Sequence, residues 1–449
     1  MTRVLIPSGA LGFAFDRDAL MEGVANGPDI IAIDGGSTDS GPAYLGAGVS
    51  KYSRSSIKDE WRTIMLARER AGVPLVVGTA GTCGSDSSVD WMFDITQEIA
   101  HEEGLSLEVA LIYSGQSNEK IAQALADGKI RPLPGAPEID AQVIRDCTNI
   151  VALAGAEQIQ AGIQTGADII ISGRTTDTAN IGALPLLRGD HPGAVWHGSK
   201  VGECGAIATS NPASGVIQLD FDSTGFTIAP LAKNARATTF SVSAHMLYEN
   251  ADPFVLHEPG GNLDVRGSTY HQVDERTVRV EGSEWKPAPY TVKLEGARLA
   301  GYQAVSMVQL RDPRYVQQAR AWADGIKALC IDEVSRKLLL SPDEFDIEFR
   351  LIGIDAVLGK LETHVSHAHE IGVMVISIAP TEAQVKEIAK ILNPYLLHHS
   401  LVENEAMPSF AFPFSPAESI RGPLYEFCLY HVLELDDPMD AFRLEQRSI

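Results

Sequence analysis

Along the first half of the chain, short apolar runs that end in glycine and small polar residues alternate with stretches of helical period. The runs are Arg3-Val-Leu-Ile-Pro-Ser8-Gly9, Asp29-Ile-Ile-Ala-Ile-Asp34, Val73–Val77, Leu107–Tyr113 and Asp168-Ile-Ile-Ile-Ser172. Each is long enough for one strand buried on both faces and too short for a helix. Between them, Asp18–Asn26, Ser56–Ala71, Ser88–Glu103 and Asn118–Ala126 place apolar residues on one helical face. Gly72 and Gly104 supply stop signals for two of these helices. The Ala-rich stretch Ile150–Gln164 also reads as helix. Strand and helix alternating at this spacing predict parallel βαβ units. The expectation is an α/β domain over residues 1–230 with a doubly wound, mostly parallel sheet.

The pattern changes near residue 214. Val216–Phe221, Thr277–Val280 and Tyr290–Leu294 alternate apolar and polar residues, as half-exposed strands do. Tyr302–Leu310, Phe345–Leu351 and Val373–Ile378 follow as strands, separated by helical stretches at Arg314–Leu329 and Thr381–Leu392. The last helix is expected to stop at Asn393-Pro394, since proline disfavours the helical conformation of the residue before it. This predicts a second domain, 231–449, of α+β class, ferredoxin-like in its later part and carrying a C-terminal extension.

Three of the predicted strands in the first half end in similar loops. They are Asp34-Gly35-Gly36-Ser37-Thr38-Asp39-Ser40-Gly41, Gly78-Thr-Ala-Gly-Thr82-Cys83-Gly84-Ser85-Asp86 and Ser172-Gly173-Arg174-Thr175-Thr176-Asp177-Thr178. In open α/β sheets ligands bind outside the carboxyl ends of the strands, so the three loops are expected to line one pocket. Glycines allow close approach of a ligand, and hydroxyls and loop amides hold carboxylate or phosphate oxygens. The spacing matches neither a dinucleotide fingerprint nor a phosphate-binding P-loop. The bland alternative for each loop is a capped strand-to-helix turn, with Asp39 as an N-cap.

Within these loops Asp34 and Asp86 are the candidate general acid and base. Arg174, the one cation of the three loops, is the candidate fork for a substrate carboxylate, against an internal pair with Asp177 or Asp39. Cys83 and Cys204 each sit between glycine-containing neighbours, in Gly-Thr-Cys-Gly and Gly-Glu203-Cys-Gly. Two such thiols facing one carbon would exchange its proton, although small cysteines in tight turns are common. Asp34, Cys83, Asp86, Asp177 and Cys204 are the catalytic candidates. Gly35, Gly36, Ser37, Thr38, Asp39, Thr82, Ser85, Arg174, Thr175, Thr176 and Glu203 are the substrate-binding candidates.

Composition narrows the partners. The chain has 449 residues, 45% of them hydrophobic, and a formal net charge of −23, which argues against a nucleic-acid or anionic-membrane partner. It carries no long apolar run and no leader segment, so a cytoplasmic location is expected. Its five cysteines, at 83, 147, 204, 330 and 428, form no disulfide framework and no CxxC pair. His364, His367 and His369 have a spacing that does not diagnose a metal site, and no metal is assigned. No cofactor is identified.

The loops and several further segments are similar to one known family. The stretches around Asp34–Pro42, Gly78–Asp86, Ile171–Ala179 and Val201–Gly205, with Ser243-Ala-His245-Met-Leu-Tyr248-Glu249, Pro259-Gly-Gly261 and Lys293-Leu-Glu-Gly-Ala-Arg298, resemble the acyclic terpene utilisation family AtuA. The matches run in order from about residue 30 to about residue 300, and the tail after about 400 lies outside them. The resemblance implies a place in bacterial catabolism of acyclic terpenes and related organic acids and acyl-CoA thioesters. It brings no catalytic role for any residue. The chain is therefore expected to be a lyase or isomerase that hydrates, eliminates or isomerises a small carboxylate or CoA thioester, and to form a homo-oligomer. The alternatives are a non-catalytic binding or assembly subunit and a metal-dependent lyase or hydrolase.

Overall fold

Five of the apolar runs become neighbouring parallel strands. In the computed structural model, which describes residues 1–402 and 404–449, Thr2–Ile6, Ile30–Asp34, Leu75–Gly78, Ile169–Ser172 and Glu108–Tyr113 lie side by side in that order. Alternate residues of these strands feed two separate cores. Val4, Ile30, Ala32, Val76, Ile112 and Ile170 pack beneath the helices Ala156–Gln164, Ala179–Leu187 and Pro192–Gly202. Leu5, Ile31, Ile33, Val77, Leu111 and Ile171 pack against Arg17–Ala25, Arg54–Ala71 and Asp86–Glu103. Burial on both faces is why these runs carry no polar alternation.

The sheet does not stop at its parallel part. Ile217–Phe221 pairs antiparallel with Thr2–Ile6, and Gly225–Pro230, Val278–Glu281 and Thr269–Gln272 extend it further. On the other side Arg443–Ser448, near the C-terminus, pairs antiparallel with Glu108–Tyr113. The result is a ten-stranded mixed sheet in a mixed α/β chain.

The chain divides into two compact units, Met1–Arg298 with Phe427–Ile449, and Leu299–Glu426. Residue 230, where a boundary was expected, falls inside the first unit. The alternating strands after it add to the edge of the parallel sheet and bury Phe226, Ile228, Val278 and Val280 in the first core. In the second unit the longer described elements run strand, helix Ala319–Leu338, strand Asp346–Ile352, strand Ile371–Ala379, helix Glu382–His398, strand, with a short helix Pro313–Gln317 before the first long one. Its core gathers Trp322, Ile326, Phe349, Val373, Val375, Ile388 and Leu392.

Two local expectations are corrected. Ile150–Gln164 is not one helix: Cys147–Ala152 is a strand, paired with Leu294–Arg298, and the helix begins at Ala156. The β-branched Thr148, Ile150 and Val151 favour the extended form, and the facing strand satisfies their backbone groups. The last long helix does not stop before Pro394 but continues through it to His398. Packing of Leu392 and Leu396 into the core outweighs the lost backbone bond.

Candidate functional site

Asp34 ends its strand in register with Gly78, so the loops that follow leave the sheet from adjacent points. Gly36 has φ +113°, and a Cβ there would lie 2.9 Å from the side chain of Thr82. Gly84 has φ +63° and lies against the backbone of Arg174, where a Cβ would stand 2.2 Å from the amide nitrogen. The glycines thus let the three loops close on one another. Thr79 and Thr82 also take positive φ, 47° and 71°, which is costly for β-branched residues and marks a turn held by its surroundings.

Above these strand ends lies a cavity of about 470 Å³, inside the first unit and within the range of small-molecule sites. Asp34, Gly36, Ser37, Asp39, Thr82, Asp177, Glu203 and Cys204 line it. So do residues that pattern reading passed over: Ser8 and Gly9 from the first strand end, Phe13, Lys51 and Tyr52, and Tyr248 with Glu249. Ser8-Gly9 ends the first apolar run, and Tyr248-Glu249 lies more than 60 residues beyond the three loops. Five carboxyl groups therefore face the cavity, against one ammonium, that of Lys51.

The remaining candidates do not line the cavity. Gly35 donates its amide to the Gly78 carbonyl, 2.7 Å away. Cys83 is buried with Leu45, Val151 and Ala297, its Sγ 3.2 Å from Ser88 Oγ. Ser85 caps the helix Asp86–Glu103. Asp86 accepts from the amide of Gly115 at 2.9 Å and lies 3.6 Å from Arg443. Thr175 bonds Thr79 and Asn180, and Thr176 bonds Thr178. Among the cavity-lining residues Cys204 has no thiol partner from Cys83, so the structure gathers no thiol pair there. Burial beside Glu203 pushes the Cys204 thiol up, which keeps it neutral and a poor base.

Arg174 requires the largest correction. Its guanidinium is 5% exposed and is not part of the cavity wall. Nε lies 3.0 Å and Nη2 3.4 Å from the two carboxylate oxygens of Glu295, on the strand Thr291–Leu310. Nη1 donates to Thr79 Oγ1 and the Thr175 carbonyl, both at 3.2 Å, and lies 3.7 Å from Asp177. Every edge is engaged, and the partner is neither Asp39 nor chiefly Asp177. Glu295 also accepts from Thr38 Oγ1 at 3.0 Å and from Lys293 Nζ at 2.8 Å. Burial opposes its ionisation, but Arg174 and Lys293 overcome this and hold its carboxyl at about 2.

Three of the cavity carboxyls, Asp34, Asp177 and Glu203, are shifted in the opposite direction. Asp34 is 7% exposed; Oδ2 accepts from the Gly36 amide at 2.9 Å, and Oδ1 has no partner. Burial, and then the charges of Asp177 and Glu203, push it well above the ordinary carboxylate range. Glu203 follows the last turn of the helix Pro192–Gly202, where the helix dipole disfavours an anion. Burial raises it to about 8 although the buried Lys200 bonds it. Glu258, behind the wall and bonded by Thr178, is raised to about 7, again mainly by burial. Asp177 is the most open of the inner group, with 35% of its side chain accessible. Burial raises it too, against the pull of Arg174 and Lys200. Burial thus disfavours the charged form of Asp34, Glu203 and Asp177, and Asp177 is the accessible one of the three.

Among the described residues no group of three or more His, Cys, Asp or Glu side chains is placed to hold a metal ion. No helix among them is long and apolar enough to cross a membrane. A family model described as acyclic terpene utilisation family protein AtuA matches residues 62–402 of the chain. No curated protein and no solved structure matches it.

Proposed function

The chain belongs to the acyclic terpene utilisation family AtuA, and from that premise we propose that it is a catabolic acid–base enzyme, a hydratase-type lyase or an isomerase. The observation that carries this reading is the meeting of Asp34, Asp177 and Glu203 at one cavity. Burial raises all three above the ordinary carboxylate range, Glu203 to about 8, and Asp177 is the one open enough to exchange a proton. Asp177 serves as general base at a carbon-bound or water proton. Glu203 or Asp34 returns a proton to the oxygen that leaves or forms. Placed acid–base groups contribute roughly 10²- to 10⁴-fold to such steps.

The substrate follows from what the cavity lacks. No arginine lines it, and five carboxyls do, so a bare carboxylate is a poor fit at its centre. A hydroxyl or thioester carbonyl, uncharged and able to take or give hydrogen bonds, suits the protonated carboxyls. Phe13, Ala14, Ile207, Pro212 and Ala213 offer an apolar wall for the body of the molecule. Acyl thioesters of branched acids and the matching alcohols are therefore the substrates to test. In this reading the protein works in the cytoplasm as a homo-oligomer without nucleic acid, on a doubly wound frame with a ferredoxin-like second unit.

The test is to incubate the protein with these compounds in deuterated water and analyse them by mass spectrometry. Gain or loss of water, or deuterium entering at carbon, is the expected result. Asp34→Asn, Asp177→Asn and Glu203→Gln should each lower the rate by roughly 10² or more. Tight binding without turnover or exchange would favour the alternative of a binding or assembly subunit.

A further inference from the structure

Arg174 and Glu295 are both at least 95% buried and lie side by side directly behind the carboxyl-lined cavity, yet neither lines it. Glu295 receives the fork of Arg174, the hydroxyl of Thr38 and the ammonium of Lys293. Thr38 belongs to the loop whose Gly36, Ser37 and Asp39 line the cavity. Arg174 reaches Asp177 only sideways, at 3.7 Å. We infer that Glu295 is a positioning residue: by taking the guanidinium fork and the Thr38 hydroxyl, it keeps the arginine off the cavity and leaves Asp177 able to exchange a proton.

The alternative arrangement is close at hand. A buried guanidinium that loses its carboxylate must find another, because an unpaired buried charge is costly. Asp177 is the carboxylate already beside it. A two-pronged pair with Arg174 would fix Asp177 in its ionised form and remove it from proton exchange. The groups acting on Asp177 are the cations Arg174 and Lys200 and the carboxyls of Asp39 and Glu295. Asp177 in turn acts on Asp34, Glu203, Glu258 and the Cys204 thiol. Within this set Glu295 is the member held fully ionised, by Arg174 and Lys293. Removing its charge acts on Asp177 in one direction by two routes: a repelling anion is lost, and the arginine is released toward it.

The inference rests on the acid–base reading of the cavity, but its test does not use turnover. The full chain, labelled with carbon-13 at the aspartate side-chain carboxyl, is titrated by NMR, and the Asp177 signal is identified by its loss in Asp177→Asn. In Glu295→Gln the Asp177 midpoint should fall by about one pH unit or more, a tenfold loss of proton affinity. In Arg174→Gln it should rise. Loss of each charge alone would move the midpoint in these same directions, so the released arginine is read from the double variant: Arg174→Gln should raise the Asp177 midpoint by more in the Glu295→Gln background than in the wild type, and an equal or smaller rise overturns the inference. An unmoved or raised midpoint in folded Glu295→Gln overturns the inference. Should that variant not fold, the double variant Arg174→Gln/Glu295→Gln removes both charges together. There Asp177 should titrate at or above its wild-type midpoint, and a midpoint below it overturns the inference. Absence of turnover with every substrate, beside the expected shifts, would defeat the proposed activity and leave the positioning role standing.

Discussion

Glu295 and Glu203 are both buried carboxyls, yet one is held down at about 2 and the other pushed up to about 8. Burial acts on both in the same direction. The difference lies in the partners. Glu295 has Arg174 and Lys293 and no cavity. Glu203 has Lys200 but stands near Asp177 and Glu258, at the negative end of a helix. The comparison teaches that the protein places its strongest countercharge behind the site rather than in it. The clamp is built for permanent charge and the cavity for exchangeable protons.

The largest expected effect comes from breaking the clamp. Glu295→Gln leaves Arg174 buried without its fork and should cost about 3–5 kcal/mol of stability, read from urea unfolding at pH 7. Asp34→Asn, made in the cavity, should change stability by no more than about 1 kcal/mol at that pH, because burial disfavours the carboxylate charge and an amide oxygen can still accept from Gly36. Equal losses from the two substitutions would erase the distinction between the regions.

Next comes the pH dependence, where the two regions should slope in opposite directions. Glu203 binds its proton more tightly folded than unfolded, so its contribution is complete below about 4.5 and is lost as pH rises toward about 8. The loss is at most about 1.4 kcal/mol per pH unit. Glu295 binds its proton less tightly folded, so its contribution is complete above about 4.5 and is lost as pH falls toward about 2. Unfolding free energy measured from pH 3 to 9 should therefore fall on both sides. Glu203→Gln should flatten the alkaline limb and leave the acid limb unchanged.

Arg174→Lys should have a smaller effect, on the order of 1–3 kcal/mol of stability, since an ammonium keeps the charge but cannot engage Glu295 with two parallel donors. The smallest change is expected for Cys204→Ser. Its thiol is neutral and has no second thiol across the cavity, so turnover should stay within a few-fold of wild type. A loss of roughly 10² or more would restore a catalytic thiol.

The frame of the site was legible because its signals are local. Asp29–Asp34 and Asp168–Ser172 are apolar runs that no helix period fits, both end in glycine and hydroxyl residues, and their strands flank Leu75–Gly78 in the sheet. The direction of Arg174 was not legible. Its partner lies 121 residues away on a strand beyond the parallel part of the chain, and nothing near Arg174 announces it. Asp86 and Cys83 misled for a related reason: a carboxylate and a thiol at a strand end look alike whether they face the cavity or the helix start. Composition also hid the site's polarity, since acidic residues spread over the whole surface mask a cluster of five around one cavity. Ile150–Ala152 reads as helix because its alanine-rich continuation is one, and only the strand Thr291–Leu310 across from it decides the matter.

The central claim is that the cavity stores protons at neutral pH, and infrared spectroscopy of the whole protein tests it most directly. At pH 7 the wild-type spectrum should contain the carbonyl stretch of protonated carboxyl groups, reduced in Asp34→Asn and again in Glu203→Gln, and unchanged in Glu98→Gln, whose carboxyl Arg54 and Lys58 hold at about 2. A spectrum at pH 7 in which every carboxyl is ionised would contradict the account.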